Sequence, residues 1–153
     1  MNDHPAIVEI KKQLEGYSNV PIVQKKNTLF VEPKDSKGFR VWLKDNSKEF
    51  VVFCDRWSYD QFFENDHEKA AILFLFALTA SARLRVREKK QKRYWWLLES
   101  CVNGEWGGIE VTYRPGDYSL WGKKHEYYLQ NDWVDIDNFK PWIGEQFTAE
   151  RSV

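Results

Sequence analysis

At 153 residues, 42% apolar and 30% charged, the chain has the composition of one soluble globular domain, able to bury roughly two-thirds of its unfolded surface. Lys plus Arg equals Asp plus Glu at 23 each, which excludes a global pull on polyanions and leaves local clustering as its only source. Two cysteines, Cys54 and Cys101, exclude a disulfide framework, and the first residues lack the basic and apolar regions of a signal peptide. The longest apolar run, 70–82, is too short for a bilayer span, so a cytoplasmic protein without a membrane partner is expected.

In chain order, the first predicted element is an amphipathic helix over about 4–15. Asp3 caps it, Pro5 suits its first turn, Gly16 stops it, and Ile7, Ile10 and Leu14 form its apolar stripe. Strands are expected at 28–32, 39–44 and 49–54, separated by turn clusters at 34–38 and 45–47. A two-residue turn at Asn46-Ser47 puts Phe39, Val41 and Leu43 on one face with Phe50, Val52 and Cys54, and sets Lys44 opposite Glu49. A helix follows over about 66–82, with Asn65 and Glu68 spaced as a capping box. It is apolar on every side and must be covered on more than one.

A meander comes next: 83–87, a turn through Glu88–Lys92, then 93–102 and 105–113 joined at Asn103-Gly104, the strongest hairpin signal in the chain. Pairing Val102 with Glu105 sorts the residues onto two faces. Leu84, Val86, Tyr94, Trp96, Leu98, Ile109, Val111 and Tyr113 fall on the apolar one. Arg83, Arg85, Arg87, Trp95, Leu97, Glu99, Cys101, Trp106, Glu110 and Thr112 fall on the mixed one. Gly107 and Gly108 mark a bulge or close packing under a Trp. After a turn at 114–117, one or two strands are expected within 118–134, then a helix over about 138–149 capped by Asp137 or Asn138. The expected class is α+β, with antiparallel sheet on both sides of a central buried helix and short helices at the two ends.

The stretches FCDRWSYDQFF (53–63), Trp96…Glu99…Trp106 and Tyr128-Leu129-Gln130-Asn131, over about 50–134, resemble a family of small uncharacterised bacterial proteins. The resemblance implies a coherent domain and supplies neither an activity nor catalytic residues.

Chemistry-bearing motifs are sparse. His4, His67 and His125 are far apart in sequence from each other and from both cysteines, and the acidic stretch at Asp132, Asp135 and Asp137 lacks the glycine and glutamate of a calcium loop. No phosphate-binding loop is present, so neither a metal nor a cofactor is expected. Cys101 shares the mixed face with Arg83 and Arg85 without a histidine to activate it. Glu99 and Glu110, on the mixed face about one cross-strand diagonal apart, are a carboxylate pair that could do acid–base work if one of them is buried. The simpler reading bonds each to an arginine of the same sheet.

The basic run 83–93 holds seven Lys or Arg against Glu88, a net +6, so the rest of the neutral chain sums to −6. Arg83, Arg85, Arg87, Lys89, Lys90, Lys92 and Trp95 are the candidate binding residues, with Glu99, Trp106 and Glu110 beside them. Three accounts compete: a solvated hairpin face, a surface for an acidic protein partner or a second copy of this chain, and a backbone-binding surface for single-stranded nucleic acid. With no catalytic constellation in view, a non-catalytic protein-binding module is the leading expectation. A small-molecule binder or enzyme using Glu99 and Glu110, and a nucleic-acid binder using the basic hairpin, are the alternatives.

Overall fold

The computed structural model describes residues 4–45, 50–62, 66–113 and 122–135, and of 60–62 and 110–113 the backbone alone. Two antiparallel sheets and two helices make up this part, as expected for the α+β class. The N-terminal helix α1 (Pro5–Gln13) buries Ala6, Ile7 and Ile10, with Leu14 just beyond its end. Its cap is His4, whose Nδ1 accepts the Ala6 N–H at 3.1 Å; the expected cap, Asp3, lies outside the described residues. Lys11 and Lys12 occupy the last turn, where cations complement the helix dipole.

The second helix, α2 (His67–Ala77), has every residue from Ala70 onward buried. It begins after Asp66, and the Asn65 half of the expected capping box lies outside the described residues. It also stops five residues before the expected end at 82. Leu78 and Thr79 bond back three residues, to Leu75 and Phe76, and the Thr79 hydroxyl donates to the Phe76 carbonyl at 2.8 Å. That hydroxyl offers the backbone an alternative to continuing the helix.

The first sheet runs in order β1 (Ile22–Lys25), β2 (Thr28–Val31), β3 (Val41–Asp45), β4 (Phe50–Cys54) and β5 (Trp57–Phe62). β1 and β5 were not among the expected strands. Each lies one two-residue turn from its neighbour, with Lys26 and Asp55 at positive φ in place of the glycines that announce such turns. Leu29, Val31, Val41, Leu43, Val52, Cys54 and Trp57 are buried under the helices. The faces of β3 and β4 agree with expectation but the register does not. Asp45 pairs with Phe50, so the connection spans 46–49 and Lys44 stands opposite Val51, not Glu49. A shift of two residues leaves each side chain on its face, because the strand period is two.

The second sheet has the order β8-β7-β6-β9, with β6 (Ala82–Lys89), β7 (Lys92–Val102), β8 (Glu105–Tyr113) and β9 (Lys124–Leu129). β6 and β7 turn through Lys90-Gln91 alone, both at positive φ, and β7 and β8 through Asn103-Gly104 as expected. Two bulges alter the expected sorting. The pairing passes from Arg87↔Trp95 to Glu88↔Arg93, skipping Tyr94, so Arg93 takes an inward position and Tyr94 is not part of the core. It passes from Glu99↔Gly108 to Leu98↔Glu110, skipping Ile109, which packs against the core. Beyond that point the expected rows reverse: Val111 stands opposite Leu97 and Tyr113 opposite Trp95, whereas Glu110 and Thr112 stand opposite Leu98 and Trp96. The glycine pair does sit at a bulge, but it is Leu97, not a Trp, that lies over it. A Cβ on Gly108 would come within 2.9 Å of the Leu97 side chain.

Helix α2 packs against α1, against β3, β4 and β5 of the first sheet, and against β6 of the second. The chain beyond β9 ties these layers together. The buried Asn131 amide accepts the Phe39 N–H and donates to the Phe39 and Ala77 carbonyls, all at 3.0–3.1 Å, so its polar atoms are satisfied in the interior. Gly38 is required by this arrangement, since a Cβ there would lie 2.7 Å from Asn131 Oδ1. Of the one or two strands expected within 118–134, β9 is one; residues 118–121 and the expected helix at 138–149 lie outside the described residues.

Candidate binding face

The outer face of the second sheet collects most of the residues singled out above. Along β6, alternate side chains Arg83, Arg85, Arg87 and Lys89 point outward while Leu84 and Val86 are fully buried. Glu99 stands opposite Arg83 on β7 and is buried, although its row faces outward. Its two oxygens are held separately, Oε1 by Arg83 Nε at 2.9 Å and Oε2 by Arg85 Nη2 at 3.2 Å. Arg87 Nε bonds Glu126 of β9 at 2.8 Å and thereby holds that carboxyl below its usual range.

The same arginines are stacked. The Arg83 guanidinium lies between two rings, 4.1 Å from that of Trp106 and 4.0 Å from that of Tyr128. Arg87 lies 3.9 Å above the Trp95 ring. Arg83, Arg85 and Arg87 are accordingly only 21%, 28% and 30% exposed, whereas Tyr128 is left 46% exposed. Guanidinium groups suit such places because they are planar, weakly hydrated and able to bond a carboxylate in plane while stacking on an arene. The result is a fixed lattice of cations and rings.

At the end of β6 the pattern changes. Lys89 is directly opposite Lys92 on β7 and Lys124 on β9, so three lysines form one cross-strand row. Lys90 on the turn and Lys123 ahead of β9 are exposed beside it.

A second polar cluster lies on the inner side of the same sheet. Asp55 Oδ2 accepts from both Arg93 Nη1 and Trp96 Nε1 at 2.8 Å; Arg93 Nε donates to the Tyr127 hydroxyl at 2.7 Å, which donates to Glu88 at 2.8 Å. Burial alone would lower the Arg93 pKa, but the hydrogen bond and charge of Asp55 outweigh it and raise it. Burial raises that of Tyr127. Because Asp55 sits on the β4–β5 turn, this cluster clasps one sheet to the other.

The sequence expectations resolve unevenly. Arg83, Arg85, Arg87, Trp95, Glu99 and Trp106 meet on one face, and Lys89, Lys90 and Lys92 cluster at its end. Glu110 does not join Glu99: the bulge puts Gly108 opposite Glu99 and Glu110 opposite Leu98, so the expected carboxylate diagonal is not formed. Cys101 pairs with Trp106 on the expected row, whereas burial pushes the Cys54 thiol far above its usual range. The histidines are less isolated than their spacing implies, since His4 feels the charges of Asp45 and His67. Sequence reasoning missed Glu126, Tyr128, Lys123 and Lys124, all delivered by β9 and the residue before it. The alternation in Lys124-His125-Glu126-Tyr127-Tyr128 signals a strand, but nothing local says that it lies beside β6.

Among the described residues no group of three or more His, Cys, Asp or Glu could hold a metal ion, and no helix is long and apolar enough to cross a membrane. Comparison with known proteins gives no match to a family model, a curated protein or a solved structure.

Proposed function

We propose that this chain is a non-catalytic protein-binding module whose contact surface is the outer face of the β8-β7-β6-β9 sheet. The observation that carries the reading is Arg83, bonded to a buried carboxylate and stacked between Trp106 and Tyr128. Arg, Trp and Tyr are the residue types that dominate binding hot spots, and here they are held in place before any partner arrives. Side chains already ordered lose little entropy on association. Two features weigh against the other readings. Both Glu99 oxygens are engaged by arginines, which leaves that carboxylate little scope as an acid or base. Trp95, Trp106 and Tyr128 each carry a guanidinium on one face, which a stacking base would have to share or displace.

The test is an affinity capture from native lysate with the wild type, Tyr128→Ala, Trp95→Ala and, as a control on a distant exposed apolar residue, Val8→Ala, which lies on α1. A protein retained by the wild type and Val8→Ala but released by the two ring deletions supports the assignment, provided that all variants melt cooperatively. The same set of proteins on all four columns would reject this face as the contact surface.

A further inference from the structure

The hydrogen bonds at the Arg83 end of the face leave donors over. Arg83 and Arg85 share the single carboxylate of Glu99, each through one nitrogen, Nε of Arg83 and Nη2 of Arg85. A guanidinium is a permanent cation with a planar fork of N–H donors, so two cations here meet one anion. Among the described residues, Nη1 and Nη2 of Arg83 take neither a hydrogen bond nor an ion pair. Trp106 and Tyr128 lie to either side of this guanidinium, at 4.1 and 4.0 Å, so an acceptor can approach only at its terminal edge. Arg85 Nε is buried with no hydrogen-bond partner, whereas buried donors in native folds nearly always have one. This end of the sheet is thus short of an acceptor and of a negative charge.

We infer that this end anchors an aspartate or glutamate side chain of the protein partner, whose carboxylate meets the terminal edge of Arg83 between Trp106 and Tyr128. The inference rests on the function proposed above and names the group by which the partner is held. Three arguments select a single carboxylate. A planar carboxylate accepts two parallel bonds in the plane of a guanidinium, the direction that the rings leave open. One such group balances the excess charge of the Arg83–Arg85–Glu99 set. A nucleic-acid backbone brings a charge at every step, and the neutral chain, with +6 in 83–93, carries −6 elsewhere to repel its continuation. The half-buried Leu97 and Cys101 stand on the same outward row, opposite Arg85 and Trp106, and help to exclude water from a seated ion pair. Glu99 and the two rings also fix Arg83 beforehand, so little ordering is left for the partner to impose.

The experiment records nitrogen–proton spectra of the isotopically labelled full-length chain while N-acetylglutamate α-amide, a probe with one side-chain carboxylate, is added at constant ionic strength. The uncharged glutamine analogue is the control, and methyl phosphate the comparison for a phosphate group. The glutamate probe is expected to displace the Trp106 indole and Arg83 Nε signals saturably, and the glutamine analogue to leave them in place. Arg83→Lys keeps the charge but loses the fork and should weaken binding at least about fivefold, whereas Arg87→Gln should change it by less than about twofold. Signals away from the face that superimpose on those of the wild type certify the fold of each variant; should Arg83→Lys not fold, the wild-type titrations decide alone. No saturable displacement, equal binding by a folded Arg83→Lys, or methyl phosphate held here as tightly as the carboxylate would each overturn the anchor. Partner capture that depends on Tyr128, together with silence towards the glutamate probe, would overturn the anchor and leave the contact face standing, so the two failures separate.

Discussion

The two ends of the outer face of β6 carry the same sign of charge and opposite arrangements around it. At one end Arg83 and Arg85 share the buried Glu99, and Arg83 is stacked between Trp106 and Tyr128. At the other, Lys89 faces Lys92 and Lys124 across both neighbouring strands. Alternation along one strand specified both ends alike. What differs is the residue that β7 and β9 bring opposite: a carboxylate at one end, further ammonium groups at the other.

The largest effect expected from this contrast is at Glu99. Removing one member of a buried charge cluster leaves its partners unpaired, which costs about 3–5 kcal/mol when all are buried. Here the arginines keep 21% and 28% exposure and can be partly solvated, so Glu99→Ala should cost about 2–3 kcal/mol. The urea midpoint should fall with an unchanged slope. A loss below about 0.5 kcal/mol, the ordinary value for a surface pair, would erase the distinction between the two ends.

Why Glu99 looked exposed in the sequence is instructive. Its place on the outward row, opposite Arg83, was legible from the Asn103-Gly104 hairpin, and the simpler reading that bonded it to an arginine is the one that the geometry supports. Its burial was not legible, because the arginines that hold it are themselves stacked on Tyr128 of β9, a strand that returns to β6 across the sheet and leaves no local trace. The apolar stripe of α1, the all-round burial of α2 and the inward Leu84, Val86, Trp96 and Leu98 follow from periodicity and were readable. The bulges at Tyr94 and Ile109 were not, since a skipped residue preserves composition and changes only parity; the glycine pair hinted at the second alone. Asn131 joins Phe39 and Ala77, 92 and 54 residues away, a link that no short-range pattern reports.

Whether burial, not position on β6, governs what a charge costs can be checked away from that strand. His4 caps α1 through Nδ1, and burial lowers its pKa below the ordinary value, with Asp45 opposing and His67 adding to the shift. The imidazole is neutral in both folded and unfolded chains well above about pH 6.5, so this stability is complete there. As pH falls below 6.5 the unfolded chain takes up the proton first, and stability declines until pH has passed the lowered folded value. Protonation also removes the cap acceptor and puts a cation at the helix N-terminus, so the loss should approach about 1 kcal/mol. His4→Asn retains an acceptor that does not titrate in this range and should flatten the dependence of the urea midpoint between about pH 7 and 5. An unchanged slope would assign the titration to another group.

At the lysine end the sign reverses. Lys89→Glu places a carboxylate between Lys92 and Lys124 and should stabilise the chain by about 0.5–1 kcal/mol. Added salt should raise the melting temperature of the wild type relative to the variant, because screening relieves repulsion in one and weakens attraction in the other. A variant less stable than the wild type at low salt would show that the row is not repulsive in the free protein, and the contrast between the ends would narrow.

The smallest effect lies between the two ends, at Arg87 and Glu126. Their hydrogen bond is as short as that of Arg83 to Glu99, 2.8 against 2.9 Å, but both partners are about one-third exposed. Length alone would rank the two pairs together; solvent access ranks them far apart. A double-mutant cycle with Arg87→Ala and Glu126→Ala should return a coupling of about 0.3–0.5 kcal/mol that fades with salt. The Arg83–Glu99 cycle should return at least about 1.5 kcal/mol and respond weakly to salt. Equal couplings would mean that hydrogen-bond geometry, not solvent access, sets the strength of these contacts, and that the difference between the buried clamp and the Arg87–Glu126 pair is one of shape and not of energy.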